Sequence, residues 1–330
     1  MLDAVRVLLI PVIAFLGMAL GLLYTGIDRK LAARMQARIG PPLIQPFRDI
    51  RKLLVKETIV PDDAVGWLFN SMPVLGLATA ITVLLYLPLG CPEPIFKGYG
   101  DLVLILYLLI LPSLAIVIGG FASGSPYATV GAQREMVTMI SYELPLTISV
   151  ISVAWLVSLT NPGAPAFSLD VVSANPVWYM VGPLGFIGLG ILLMVLLWVI
   201  PGELGKTPFD VAEAETEIAG GVFVEYSGRN LALFYLTGAV RTIAVASLVI
   251  SMFLPWNASG ILGLSGLLGM VADVMFFLFK LFVVVFLGSA FIRVIVARLR
   301  INQVVRFYWF YATAAAFLGM VLIWIDAVLL

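Results

Sequence analysis

The residues able to carry chemistry are few and mostly acidic. Glu143, Arg241, Asp273 and Lys280 stand within apolar segments, while Glu203, Asp210, Glu213, Glu215, Glu217 and Glu225 crowd residues 202–230 against only Lys206 and Arg229. An ionisable group at mid-bilayer costs at least ~2.5–3.5 kcal/mol on insertion scales, so its default reading is functional. Glu143, beside Tyr142 and just before Pro145, is the best single candidate for an intramembrane proton carrier. If 210–218 is helical, Asp210, Glu213 and Glu217 share one face at i, i+3, i+7. Like charges packed in this way raise one another's pKa and share protons. A solvated acidic loop is the plainer alternative, but Phe209, Val211, Ile218, Val222 and Phe223 among the acids favour a half-buried cluster. Asp273 lies seven residues before Lys280 on the same helix face, so a structural ion pair stands beside a role in proton traffic.

What is missing narrows the chemistry further. The 330 residues include no histidine and one cysteine, Cys91. Haem, iron–sulfur clusters and most zinc sites need several such ligands, so no metal centre is expected on this chain. One cysteine gives no internal disulfide and no clue to redox compartment. Gly263-Leu264-Ser265-Gly266 looks like the motif of intramembrane serine proteases, but the chain has no histidine to act as base. Proton traffic near neutral pH then falls to carboxylates, with Tyr142, Lys280 and water.

The elements that position these residues are membrane helices. With 62% hydrophobic and 12% charged residues and a mean hydropathy of +1.10, the chain is no soluble enzyme; ordinary domains are about 25% charged. Apolar runs near twenty residues give an all-α, polytopic fold, a single membrane domain over 1–330. Its eight spans lie at about 4–27, 67–90, 102–121, 136–159, 181–201, 231–255, 270–292 and 307–329. The first is no signal peptide, because it is too long and its basic flank follows the apolar run. Pro112 and Pro145 interrupt the third and fourth spans, which neighbouring groups can tolerate.

Of the nineteen basic residues, all but Arg6, Lys97, Arg241 and Lys280 fall in alternate loops: 28–66, 122–135, 202–230 and 293–306. The positive-inside rule makes these loops cytoplasmic and both termini external. Asn257-Ala258-Ser259 is a formal sequon on the outer face. In loop 28–66, Leu43, Phe47, Ile50, Leu53 and Leu54 recur at helical spacing with Arg48, Arg51, Lys52 and Lys56 between them. This reads as an amphipathic helix, either lying on anionic lipid or walling a pocket or docking face. Arg29, Arg34 and Arg38, the turn at Gly40-Pro41, Arg134, Arg298 and Arg300 are the candidate docking set. No internal repeat suggests a secondary transporter, nothing points to nucleic acid, and a plain structural anchor leaves the acids unexplained.

Four blocks carry a family resemblance: Asp28-Arg29-Lys30 through Gln36-x-Arg38-Ile39-Gly40-Pro41 to Leu43-Ile44-Gln45-Pro46-Phe47-x-Asp49; Gly124-Ser125-Pro126-Tyr127 with Arg134-Glu135 and Ile140-Ser141-Tyr142-Glu143; Pro208-Phe209-Asp210 through Glu213-Ala214-Glu215-x-Glu217 to Glu225-Tyr226-Ser227-Gly228; and Arg298-x-Arg300-x-x-Gln303. In order and loop placement the chain resembles the subunit 1 family of respiratory complex I and its relatives in group 4 membrane-bound nickel–iron hydrogenases. The resemblance implies an eight-helix subunit whose loops grip a peripheral redox arm and whose acids relay redox events to proton or sodium translocation. It also implies partners: peripheral hydrogenase-like large and small subunits, an iron–sulfur subunit and antiporter-like membrane subunits. Iron–sulfur clusters, with nickel–iron in the hydrogenase branch, would sit on those partners. Gly124-Ser125-Pro126-Tyr127 looks like the hydrogenase and formate hydrogenlyase branch, and Asn302 stands where complex I usually has an acid, which weakens the carry-over of a quinone site. The mixture resembles ferredoxin-dependent hydrogenase or sulfane-sulfur reductase complexes, with quinone-reducing complex I as the alternative.

Overall fold

The structure, a computed structural model, describes residues 4–90, 94–160, 163, 165 and 167–329, so Cys91 lies outside the described residues. Among these, eight helices are long and apolar enough to cross a membrane. They are α1 (Ala4–Met35), α3 (Gly66–Tyr86), α4 (Leu102–Ala122), α5 (Pro126–Thr160), α7 (Pro183–Glu203), α9 (Gly228–Phe253), α11 (Gly266–Ile295) and α12 (Ile301–Leu329). Short helices α2 (Gln45–Val55), α6 (Leu169–Ala174), α8 (Glu215–Ile218) and α10 (Ala258–Leu262) lie between them. The number of long apolar helices is the expected eight, α2 is the expected amphipathic helix, and α4 and α5 run unbroken through Pro112 and Pro145.

Three helices outrun their apolar windows toward the basic loops. α1 continues to Met35, α5 begins at Pro126 and α12 begins at Ile301. Hydropathy marks only the stretch that must sit in hydrocarbon, whereas a helix ends where its backbone groups find other partners. At 1.5 Å per residue, α5 is roughly 50 Å long against a hydrocarbon core of about 30 Å. Its first turns therefore project beyond the apolar layer and carry Arg134 and Glu135 with them.

α9 is the hub. Within its apolar window 78% of residues are buried, against 22% in α1 and 28% in α11, which form the outer wall. α7 and α12 pack backbone to backbone at Gly188 and Gly319, where a Cβ on Gly188 would lie 2.7 Å from the Gly319 carbonyl oxygen. Small residues at such crossings let membrane helices approach closely.

The four basic loops knit into one layer. The Ile59 amide donates to Ser227 Oγ at 3.0 Å and the Val65 amide to the Ala122 carbonyl at 2.9 Å. Asp28, 2% exposed at the loop end of α1, meets Lys206 Nζ at 3.5 Å, Arg293 at 3.6 Å and the Ser289 hydroxyl at 3.0 Å. Ser289 sits on a π-helical turn, Phe286–Phe291, inside α11. Such turns leave the regular hydrogen-bond ladder and re-aim side chains.

Candidate functional site

The acidic segment 202–230 folds back against α5. A Cβ on Gly131 would lie 2.6 Å from the Val222 amide and 2.9 Å from the Ala212 carbonyl, so the close approach requires glycine there. The segment is not one helix over 210–218. Residues 211–213 form a turn, and only Glu215–Ile218 is helical. Asp210, Glu213 and Glu217 therefore do not share a helix face. Asp210 and Glu217 are held by different arginines, and Glu213 lies at the edge of a cavity.

Asp210 is clamped by Arg298, whose Nε donates to Oδ1 at 2.9 Å and whose Nη2 donates to Oδ2; the Thr207 hydroxyl adds a bond at 3.1 Å. A two-pronged guanidinium–carboxylate contact fixes geometry as well as charge, and it holds Arg298 above its ordinary pKa. Glu217 is exposed and pairs with Arg134 at 2.6 Å. Glu213 stands at the mouth of a small cavity of about 30 Å³ that Asp210, Glu135 and Arg241 also line. The residue itself is exposed to solvent there. Desolvation, then the charges of Glu135, Asp210 and Glu215, push its carboxyl up to about 7, with Arg298 acting the other way. Because one edge is open to water, the like charges are the firmer part of that upward direction. Glu215 is exposed and Glu225 half-buried, both away from the cavity lining.

Below the cavity lies a buried polar group that the sequence alone did not assemble. Arg241 on α9 and Glu203 at the end of α7 are 3% and 2% exposed and pair at 2.8 Å. The same Arg241 Nη2 donates to the Glu203 carbonyl and, at 2.7 Å, to Ser113 Oγ of α4. Ser113 lies 3.2 Å from the Tyr142 hydroxyl, and Tyr308 packs edge-on to Tyr142 while donating to the Trp198 carbonyl at 2.9 Å. Glu135, 6% exposed, completes the group from α5. Its signal was legible only with the true start of α5: Glu135, Met139 and Tyr142 follow at helical spacing and are all buried. Glu143 is half-buried on the neighbouring flank of α5, within electrostatic reach of Glu203.

Asp273 and Lys280 are not brought to this cluster, and they do not pair as a salt bridge. Lys280 Nζ donates to the Leu254 and Trp256 carbonyls at 2.9 and 2.8 Å, closing the end of α9. Asp273 accepts from the Ser259 amide and hydroxyl, both at 2.7 Å, at the start of α10. Asp326, inconspicuous in the sequence because it lies near a span end, accepts from the Gly182 amide at 2.6 Å ahead of α7.

The docking set divides in two. Arg29 pairs with Asp49 of α2 at 3.1 Å, and Arg134 and Arg298 are engaged as above. Arg34, Arg38 and Arg300 are exposed and form no ion pair among the described residues, although Arg38 bonds Gln36. Gly40 lets the turn at Gly40-Pro41 lie on α1, since a Cβ there would come within 3.0 Å of Ala33 and Lys30. Among the described residues no group of three or more His, Cys, Asp or Glu is placed to hold a metal ion.

An eight-span helical bundle with a buried arginine–carboxylate cluster under a layer of basic loops defines a class, the membrane subunits of respiratory complexes. The sequence matches the NADH dehydrogenase family over residues 7–324, and the chain belongs to that family, whose members form the subunit 1 type. It is 34% identical to hydrogenase-4 component C of Escherichia coli across 74% of this chain and 75% of that one. It is 34% identical to the NADH-quinone oxidoreductase H subunit of Brevibacillus brevis across 91% of this chain and 87% of that one. Its fold matches a chain in the structure of the membrane-bound sulfane sulfur reductase, an archaeal respiratory membrane complex, with TM-score 0.81 and 28% identity, over 96% of this chain and 99% of that chain.

Proposed function

We propose that this subunit anchors a peripheral redox arm of a ferredoxin-dependent complex, of hydrogenase or sulfane-sulfur reductase type, and couples its electron transfer to ion translocation. The observation that carries this reading is an excess of carboxylate beside one arginine, two of the acids buried and the third exposed at the cavity mouth. Glu203, Glu135 and Glu213 gather around Arg241 at the end of the bundle where the basic loops converge. A buried carboxylate without its own cation is tolerated by carrying a proton, and a cluster of such groups can pass that proton on.

In this reading the basic loops face the cytoplasm and both termini lie outside. Arg34, Arg38 and Arg300 offer unspent positive charge to peripheral hydrogenase-like subunits and an iron–sulfur subunit, which carry the clusters. Protons pass from the cavity mouth at Glu213 through the buried group toward Glu143, whose half-exposed flank of α5 faces antiporter-like membrane subunits. Asp210 tunes that mouth through its Arg298 clamp, and Glu215, Glu217 and Glu225 set its acidic surroundings. Asp273 and Lys280 serve the opposite end.

Ion pumping per electron in membrane vesicles carrying Glu143→Gln tests the reading. Loss of pumping with the complex assembled is expected. Normal pumping at normal turnover would leave the acids as packing and docking groups. The identity to the quinone oxidoreductase relative across nine-tenths of the chain favours a second reading, reduction of a quinone by the same arm. The peripheral subunits that co-purify separate the two: nickel-ligand cysteines in the large subunit mean hydrogenase, and their loss points to sulfur or quinone chemistry.

A further inference from the structure

Glu135 and Glu203 are both buried, and Arg241 is the guanidinium between them. All the hydrogen bonds of that guanidinium leave from Nη2, to Ser113 Oγ, the Glu203 carboxylate and the Glu203 carbonyl. Its Nε is fully buried and has no acceptor among the described residues. A buried donor left without an acceptor is uncommon and calls for a reason.

Ser113 supplies one. A hydroxyl has one proton to give and two lone pairs. Ser113 takes Arg241 Nη2 at 2.7 Å on one lone pair and stands 3.2 Å from the Tyr142 hydroxyl. If Tyr142 donates to the second lone pair, the Ser113 proton is left for a further acceptor on the cavity side. Arg241 pairs with Glu203, and Glu135 and Arg241 border the same small cavity. That volume is about enough for one water.

We propose that Arg241 is a counter-ion shared by Glu203 and Glu135, changing partner as a proton passes between them. The inference rests on the relay reading above. One guanidinium neutralises one carboxylate, and a second ionised carboxylate buried beside it has no compensation. Proton and guanidinium therefore move in opposite senses. In the step, the O–H bond of the Glu135 carboxylic acid breaks and one forms on Glu203; Arg241 stays charged throughout and ends on the Glu135 carboxylate. The idle Nε–H is the donor that meets it. The groups facing Arg241 are Glu203 from α7, Glu135 and Tyr142 from α5 and Ser113 from α4, with Tyr308 of α12 behind Tyr142. Glu213 and Asp210 face it across the cavity, and Asp210 is already neutralised by Arg298.

A fixed structural pair is the competing account, and a neutral pair distinguishes them. The assembled complex carrying Glu203→Gln with Arg241→Gln keeps two hydrogen-bonding side chains in place without charge. A shared counter-ion predicts loss of ion pumping per electron in vesicles, the same loss in Glu135→Gln, and partial recovery in Arg241→Lys alone. Normal pumping in the double variant and in Glu135→Gln overturns the proposal. If the double variant does not assemble, infrared difference spectra of the unmodified complex during turnover decide. Paired loss and gain of carboxylic-acid C=O bands, abolished by Glu135→Gln, is expected, and no band sensitive to Glu135→Gln overturns the proposal. If Glu143→Gln also pumps normally, the relay reading itself has failed. If Glu143→Gln uncouples while the double variant and Glu135→Gln pump normally, only the shared counter-ion falls.

Discussion

At the end of the bundle away from the basic loops, three charges each close one helix terminus. Asp326 meets the amide ahead of α7, Lys280 the last carbonyls of α9, and Asp273 the first groups of α10. Acids sit at helix starts and the cation at a helix end, as the peptide dipoles favour. Around the cavity at the loop end the acids outnumber the two guanidinium groups that meet them. Arg298 is spent on Asp210 and Arg241 on Glu203, which leaves Glu135 and Glu213 beside a shared cavity. The same side-chain types thus give one end fixed, one-to-one contacts and the other an arrangement that can change its proton count.

The largest effect that sharpens this contrast is expected from Arg241→Met. Removing one partner strands Glu203 as an uncompensated buried charge, a loss of ~3–5 kcal/mol read as a fall in thermal stability of the purified complex. At the other end Lys280→Met deprives two carbonyls of a charged donor and costs ~1–3 kcal/mol. Asp326→Asn weakens the contact ahead of α7 by ~0.5–2 kcal/mol. Neither of these is expected to change ion pumping per electron. Uncoupling by either would break the division between the two ends.

Smaller effects concern pH. Glu213 carries its proton below about 7 and is ionised above it. Coupled turnover therefore has an inflection near that pH, and Glu213→Gln removes it. Arg298 holds the Glu213 carboxyl down, so Arg298→Ala moves the inflection upward. A downward move would mean that the clamp on Asp210 does not act on the cavity. Smallest is the docking effect: Arg38→Ala or Arg300→Ala should release peripheral subunits more readily as salt rises, because exposed ion pairs are screened. Normal assembly at every salt concentration would reduce these arginines to topology signals.

The spans and the amphipathic α2 were legible because hydrocarbon imposes a length and α2 a periodicity that residues such as Phe47, Ile50 and Leu53 declare. Glu143 and Arg241 stood out as charges in apolar runs. The partners of Arg241 did not, for three physical reasons. Glu203 closes α7 but reads as the first acid of a loop. Glu135 reads as loop because hydropathy does not mark the first ten residues of α5. Ser113 is one hydroxyl among many and gains meaning only from α4 packing against α5 and α9. The condition that 210–218 be helical is not met, because the segment turns at 211–213 where Asp210 is drawn to Arg298. Asp273 and Lys280 share a helix face, as their spacing implies, yet each finds backbone groups nearer than the other.

The most direct test of the central claim is ion pumping per electron, measured side by side in vesicles carrying the complex with Glu213→Gln or with Lys280→Met. The account predicts that Glu213→Gln transfers electrons with reduced or no pumping, while Lys280→Met pumps with unchanged stoichiometry from a less stable complex. Normal pumping in Glu213→Gln together with lost pumping in Lys280→Met would contradict it, placing the coupling at the opposite end of the bundle.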